Sequence, residues 1–401
     1  MDAAIDQSKQ ERRMNILLDF LPFMYDGRTR GIGGVASFAK SFYDEIIRQK
    51  DTTTRLFALY DSSFSVGKQY DYQQYAKENN ISLLDISTTL ISTHIEQQHI
   101  NVCFIAVGQF YASYDLSGIT CKTIMFIHDI ADVERADNRV DLLLWDKTAD
   151  KGCRWLKQCA NIFLGRWKKQ NHRIYSRIIP LYAAENTLAF TVSEYSLSTL
   201  KYYFPELKKD IQICYSPSKD PVMDDSIENE SLRRLISTGK PYLLMLAANR
   251  PYKNIFIVNK VFRRLVKEYP DIHLLTLKYG HVIGENHIDI PFLSDSDLEH
   301  AYKHAFALIF SSFFEGFGYP PLEAMRHGTP TIASNVTSIP EILGDAGIYF
   351  SPIYPADLYR AIRLLIENPN CCQSKMEKRL AEIAQRQRQD MQNVINQIFK
   401  Q

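Results

Sequence analysis

Residues 307–333 read A-L-I-F-S-S-F-F-E-G-F-G-Y-P-P-L-E-A-M-R-H-G-T-P-T-I-A. Ala307–Ser311 is an unbroken apolar run, the pattern of a strand buried on both faces. Gly316 and Gly318 interrupt it. Pro320 and Pro321 then open a helix, where a first-turn proline loses no hydrogen bond. Thr331–Ala333 is a second short apolar strand. Strand, crossover helix and strand make a βαβ unit, which sets its two strands parallel.

The same alternation extends in both directions. Upstream, strands are expected at Asn15–Asp19, Leu56–Tyr60, Val102–Val107, Thr123–His128 and Thr187–Val192, with a helix through Phe38–Arg48 and Ser193 as the N-cap of another. Ser216–Glu230, rich in Ser, Pro and Asp, reads as a linker. A second series follows: a strand at Tyr242–Ala248, a helix at Ile255–Glu268, strands at His273–Leu277 and Ile288–Leu293, and a helix at Asp297–Ala305. At 401 residues the chain exceeds one ordinary domain. The expected architecture is α/β: two doubly wound, Rossmann-like domains facing across a cleft, residues 1–216 and 217–385. Residues 386–401 belong to a last helix, Met376–Phe399, expected to pack back on the first domain.

Composition narrows the function. Apolar residues are 45% and charged residues 23%, with 17 Gly and 16 Pro, which excludes collagen-like and low-complexity chains. Lys and Arg total 47 against 46 acids, so no globally basic surface exists for nucleic acid. The 7 cysteines include no C-x-x-C, which argues against a zinc site or disulfide framework and for reduced thiols in the cytoplasm. Met1–Arg13 is too polar for a signal peptide, and no apolar run approaches the roughly 18 residues of a membrane span.

The chemistry concentrates around Glu315. It follows the strand on a loop whose glycines allow close backbone approach to a ligand. Glu323 lies one turn inside the helix, so two carboxylates flank whatever the loop cradles. The helix N-terminus adds a partial positive charge. Arg250 and Lys253 follow another strand and supply two cations.

E-G-F-G-Y-P-P-L-E-A-M (315–325) resembles the paired-glutamate signature of family 4 retaining glycosyltransferases with the GT-B fold. G-T-P-T-I-A-S-N (328–335), S-I-P-E-I-L-G-D-A-G (338–347) and Y-L-L-M-L-A-A-N-R-P-Y-K-N (242–254) are similar to the same family. The resemblance spans Asn15 to about Ser351 and is looser in the N-terminal half. It implies an acceptor domain followed by a nucleotide-sugar donor domain. It places Arg250 and Lys253 on the diphosphate, Glu323 on the ribose hydroxyls, and Glu315 beside the donor sugar. Gly316, Phe317 and Gly318 would present backbone donors to that sugar, with Tyr319 next to them. Gly31, Gly33 and Gly34 match the family's glycine loop, and His128-Asp129 its pair near the sugar. The resemblance also implies a metal-independent hexosyl transfer with retention and no cofactor.

The Arg30–Gly33 form resembles members that build bacterial surface polysaccharides such as lipopolysaccharide. Mannose from GDP-mannose is the first expectation and rhamnose or glucose the next, with a glycan or lipid-linked glycan as acceptor. The alternative is a non-catalytic nucleotide-sugar-binding scaffold subunit. Three competing motifs carry less. Gly31-x-Gly33-x-x-Ala36 fits a dinucleotide fingerprint but stands about ten residues beyond its strand, where the fingerprint must follow at once. Asp295-Ser296-Asp297 reads as helix capping rather than a metal–diphosphate motif. Ser338-x-x-Glu341 reads as a capping box.

One segment stands apart. Trp145, Trp155 and Trp167 are the chain's 3 tryptophans. Lys147–Arg177 holds nine basic residues, Lys168 and Lys169 among them, and one acid. Trp155, Leu156, Cys159, Phe163 and Trp167 would share a helical face. Two readings remain: docking on an anionic surface at the inner membrane face, or packing on its own domain with a solvated basic side.

Overall fold

The computed structural model describes residues 13–25, 34–64, 71–138, 164–219, 221–222 and 224–400. The first domain runs β1 (Asn15–Asp19), α1 (Leu21–Tyr25), α2 (Gly34–Gln49), β2 (Arg55–Tyr60), α3 (Tyr72–Glu78), β3 (Ile81–Asp85), α4 (Ile91–Gln97), β4 (Val102–Ile105), β5 (Lys122–Phe126), α5 (Ala131–Asn138), α6 (Arg166–Ala183), β6 (Thr187–Thr191), α7 (Glu194–Tyr203) and β7 (Ile211–Ile213). The second runs α8 (Glu230–Ser237), β8 (Tyr242–Met245), α9 (Ile255–Glu268), β9 (His273–Leu277), β10 (His287–Ile290), α10 (Asp295–Lys303), β11 (Ala307–Phe310), α11 (Tyr319–Arg326), β12 (Thr331–Ser334), α12 (Ile339–Leu343), β13 (Gly347–Phe350), α13 (Pro355–Glu367) and α14 (Gln373–Phe399).

Both sheets are parallel throughout, in the orders β3-β2-β1-β4-β5-β6-β7 and β10-β9-β8-β11-β12-β13. The strands expected from apolar runs are the buried ones: every residue of β4, β8, β11 and β12 is buried. The missed strands β3, β7 and β13 are only partly buried. Their polar positions break the apolar run that marks a central strand.

In each sheet the strand order reverses next to its first strand, between β1 and β4 and between β8 and β11. Loops diverge there and leave a crevice at the carboxyl ends. The loops at the second reversal carry Arg250, Lys253 and Glu315.

Helix α14 spans the two domains. Arg379 Nε donates to the Ile342 carbonyl at 2.9 Å on the second domain. Asp390 accepts the Tyr215 N–H at 3.0 Å. Lys122 on β5 donates to the carbonyls of Gln397 and Lys400, both at 2.7 Å, neutralising the negative helix end. No helix among the described residues is long and apolar enough to cross a membrane.

Candidate active site

The reversal between β8 and β11 builds the charged wall of the site. Asn254 adopts φ +59° and donates to the Pro352 carbonyl at 2.9 Å, turning the chain into α9. Ser311 donates to the Lys253 carbonyl at 2.6 Å, and the Phe313 N–H to the Tyr252 carbonyl at 2.9 Å. These bonds tie the two loops together and bring Lys253 Nζ to 2.5 Å from Glu315 Oε1. The side chains are only 12% and 14% exposed, so the pair is largely desolvated. Lys253 Nζ also lies 4.9 Å from the Phe310 ring centroid. Arg250 is exposed, with Nη1 donating to Tyr252 Oη at 2.9 Å.

Glu323 is on α11 with its carboxyl deep against the domain. Tyr302 Oη, fully buried, donates to Glu323 Oε2 at 2.5 Å. Burial raises the Glu323 pKa; the Tyr302 hydrogen bond and Lys219 lower it, Glu299 adds to the rise, and Arg326 opposes it. Helix α11 has Gly318, φ +106°, as its N-cap and so has no side-chain cap. Pro320 and Pro321 carry no N–H, so this terminus offers its dipole more than hydrogen-bond donors.

The first domain supplies the facing wall. His128 and Asp129 follow β5. His128 Nε2 lies 2.9 Å from the Ala106 carbonyl and its ring packs edge-on to Phe38, centroids 4.3 Å apart. Burial lowers its pKa to about 4, so it is neutral near pH 7. A carbonyl only accepts, which puts the proton on Nε2 and leaves Nδ1 as an acceptor. Burial raises Asp129 to about 6; the Ala131 N–H opposes the rise, and the charges of Asp132 and Glu315 add to it. Asp129 meets the donor loop directly: a Cβ on Gly316 would stand 2.7 Å from Asp129 Oδ2. Similarly, a Cβ on Gly34 would stand 3.2 Å from Tyr319 Cδ2. A side chain at Gly316 would force Asp129 to shift, and one at Gly34 would press on the Tyr319 ring.

The structure therefore brings Lys253, Glu315, Gly316 and Asp129 together, and Gly34 against Tyr319. Phe317 is buried against Tyr215, ring centroids 5.4 Å apart. Gly31, Gly33, Trp145 and Trp155 lie outside the described residues, as does the side chain of Trp167. Leu156, Cys159 and Phe163 also lie outside the described residues, so the apolar face expected from Trp155 to Trp167 does too; what is described begins with Gly165, φ +64°, as the N-cap of α6. Lys168 is paired with Asp137 at 2.5 Å, whereas Lys169 is exposed.

Two motifs work differently from their sequence reading. Ser338 and Glu341 form no capping box. The Glu341 carboxylate reaches the other domain and accepts the Glu194 and Tyr195 N–H groups at 2.8 and 3.1 Å, capping α7. In the D-x-D, the N-cap is Ser294, while Asp297 accepts the N–H groups of Glu228 and Asn229, both at 2.9 Å, fastening the linker.

Several neighbours escaped sequence reasoning. Asp19 ends β1, fully buried, accepting from Tyr111 Oη at 2.7 Å and raised by burial to about 7. Arg135 on α5 reaches across to the Tyr252 ring, 5.3 Å from its centroid. Tyr302 and Arg135 left no local signal, because their partners are distant in sequence.

Residues 226–387 match the family profile described as "Glycosyl transferases group 1". This segment is a group 1 glycosyltransferase domain. It holds Arg250, Lys253, Glu315 and Glu323. The chain is 33% identical over 158 residues to the serotype-specific mannosyltransferase WbdA of Escherichia coli, covering 35% of this chain and 19% of that protein. It is 49% identical over 61 residues to O-antigen chain mannosyltransferase B of Escherichia coli, covering 15% of this chain and 16% of that one. The matches thus span less than a fifth of these relatives' lengths. Sucrose-phosphate synthase from Thermosynechococcus elongatus superposes with a TM-score of 0.64 at 13% identity, over 96% of this chain and 99% of that one. That likeness places the group 1 domain within a two-domain GT-B fold.

Proposed function

We propose that the chain transfers a hexose from a nucleotide sugar to a glycan or lipid-linked glycan, with retention, in bacterial surface polysaccharide synthesis. The observation that carries this reading is the desolvated Lys253–Glu315 pair at the strand-order reversal, facing Asp129 across the Gly316 loop. Lys253 and Arg250 stabilise the diphosphate as charge builds on it, with the α11 dipole in support. Glu323 accepts the ribose hydroxyls. His128 Nδ1 accepts a hydroxyl of the donor sugar. The bond from the anomeric carbon to the phosphate oxygen breaks, the acceptor oxygen bonds to that carbon on the same face, and the acceptor proton passes to the departing phosphate. The protein contributes position and charge rather than a strong base.

Mannose from GDP-mannose is the preferred donor, supported by the two mannosyltransferase relatives. A cytoplasmic place on the inner membrane face is supported by α6, where Arg166, Lys169, Arg173 and Arg177 are exposed beside Ile174. Flotation with anionic liposomes at low salt checks that surface; no retention ends it. The transferase reading is tested with GDP, UDP, dTDP and ADP sugars, an acceptor glycan, and EDTA. Nucleoside diphosphate release in the presence of EDTA, with the product anomer matching the donor, is expected. Binding without release from any donor would favour the scaffold alternative.

A further inference from the structure

The Glu315–Gly318 backbone is held by serine hydroxyls from both domains. Ser338, fully buried, lies 3.0 Å from the carbonyl oxygens of both Glu315 and Phe317 and is a shared donor to them. The carbonyl between them, Gly316, takes the hydroxyl of Ser193 at 2.7 Å, with Ser196 at 3.3 Å. Ser193 and Ser196 belong to the first domain, at the start of α7, and are also fully buried.

In a planar trans peptide the C=O and N–H point in opposite directions. Fixing the Glu315 and Phe317 carbonyls on Ser338 therefore aims the Gly316 and Gly318 N–H groups away from it. Fixing the Gly316 carbonyl on Ser193 aims the Phe317 N–H away from α7. Among the described residues, none of these three N–H groups has a hydrogen-bond partner, although all three carbonyls do. Backbone N–H groups near the interior are rarely left without acceptors, so a consecutive set of them is a set of donors for a ligand.

We propose that Ser193 and Ser338 are positioning residues that orient the Gly316, Phe317 and Gly318 N–H groups toward the donor sugar. Ser193 does so from the opposite domain, so the sugar subsite is complete only when the two domains meet. The inference rests on the transferase reading and adds a division of labour. The second domain alone holds the nucleotide, whereas recognition of the sugar needs a hydroxyl from the first.

The test compares affinity for GDP-mannose and for GDP, or for whichever sugar and diphosphate pair the wild type binds. The variants are Ser193→Ala, Ser193→Gly and Ser338→Ala. Gly at an N-cap costs only a few tenths of a kcal/mol relative to Ser, so Ser193→Gly keeps α7 capped. Each variant is assayed below its own melting temperature. Diphosphate affinity should stay within about twofold of wild type, while nucleotide-sugar affinity falls about tenfold, as expected for a misaligned donor. Equal losses of both affinities would mean a merely structural role and overturn the proposal, as would no loss of either. A wild-type protein whose sugar adds no affinity overturns it too. A wild type that binds none of the four nucleotide-sugar series overturns the transferase reading itself, a result independent of the serine variants.

Discussion

The two walls of the cleft solve electrostatics in different ways. The wall from the second domain pairs its loop charges, Lys253 with Glu315, while its buried Glu323, hydrogen-bonded by Tyr302, is raised by burial as Asp129 is. The wall from the first domain buries ionisable groups without counter-ions, so burial shifts them toward neutrality: His128 to about 4 and Asp129 to about 6. Near pH 7 this leaves His128 neutral, while Asp129 is still mostly a carboxylate.

The comparison is most exposed at Lys253. Replacing it with Ala removes a cation and strands Glu315, and turnover should fall about 100- to 1,000-fold in a nucleotide-release assay. Arg250→Ala, at an exposed position, should cost about tenfold. Wild-type turnover in both variants would mean that the paired wall does not serve a leaving group. Glu323→Ala should raise the donor KM about 10- to 100-fold, the worth of hydrogen bonds to a charged group, with kcat nearly intact. A change confined to kcat would move Glu323 from binding to chemistry.

Gly316→Ala tests whether the walls must touch. Its Cβ would stand 2.7 Å from Asp129 Oδ2, so turnover should drop about tenfold through mis-set geometry while diphosphate affinity is retained. Loss of diphosphate affinity as well would show that the change damages the second domain alone.

The smallest effect concerns pH. The Asp129 pKa is raised from 3.8 to about 6 in the fold. The folded state therefore binds more protons than the unfolded state between those values, and stability falls as pH rises through that window. Asp129→Asn removes this loss. Melting temperature should rise by roughly a few degrees at pH 7 and match wild type near pH 3, with lower turnover. His128 has the opposite slope: its pKa falls from 6.5 to about 4, so it adds stability as pH rises across that range. A melting temperature for Asp129→Asn below wild type at pH 7 would mean that the carboxylate is stabilised in the fold, and the contrast between walls would fail.

Legibility followed the same boundary. Arg250, Lys253, Glu315 and Glu323 are carried by short stretches of strand, loop and helix, each element visible in its own residues, and α9 and β9 occupy the limits expected for them. Ser193 was legible as an N-cap, a role that it keeps by accepting the Ser196 N–H at 3.0 Å. Its second role was not, since Gly316 lies 123 positions away. Ser338 and Glu341 have the spacing of a local capping box, yet their partners are Glu315, Phe317 and the N-terminus of α7. A spacing rule cannot distinguish a side chain that folds back on its own helix from one that reaches a neighbour.

By itself, the sequence determined the alternation of apolar strands and helices, and with it two parallel sheets, because burial on both faces leaves a continuous apolar run. It also determined the carboxylates and cations at one reversal of strand order. Only the tertiary structure decided that Asp129 meets Gly316, that Glu341 caps a helix of the other domain, and that hydroxyls from both domains aim one backbone loop. Those contacts join residues far apart in the chain, and their geometry exists only once both sheets have formed and met.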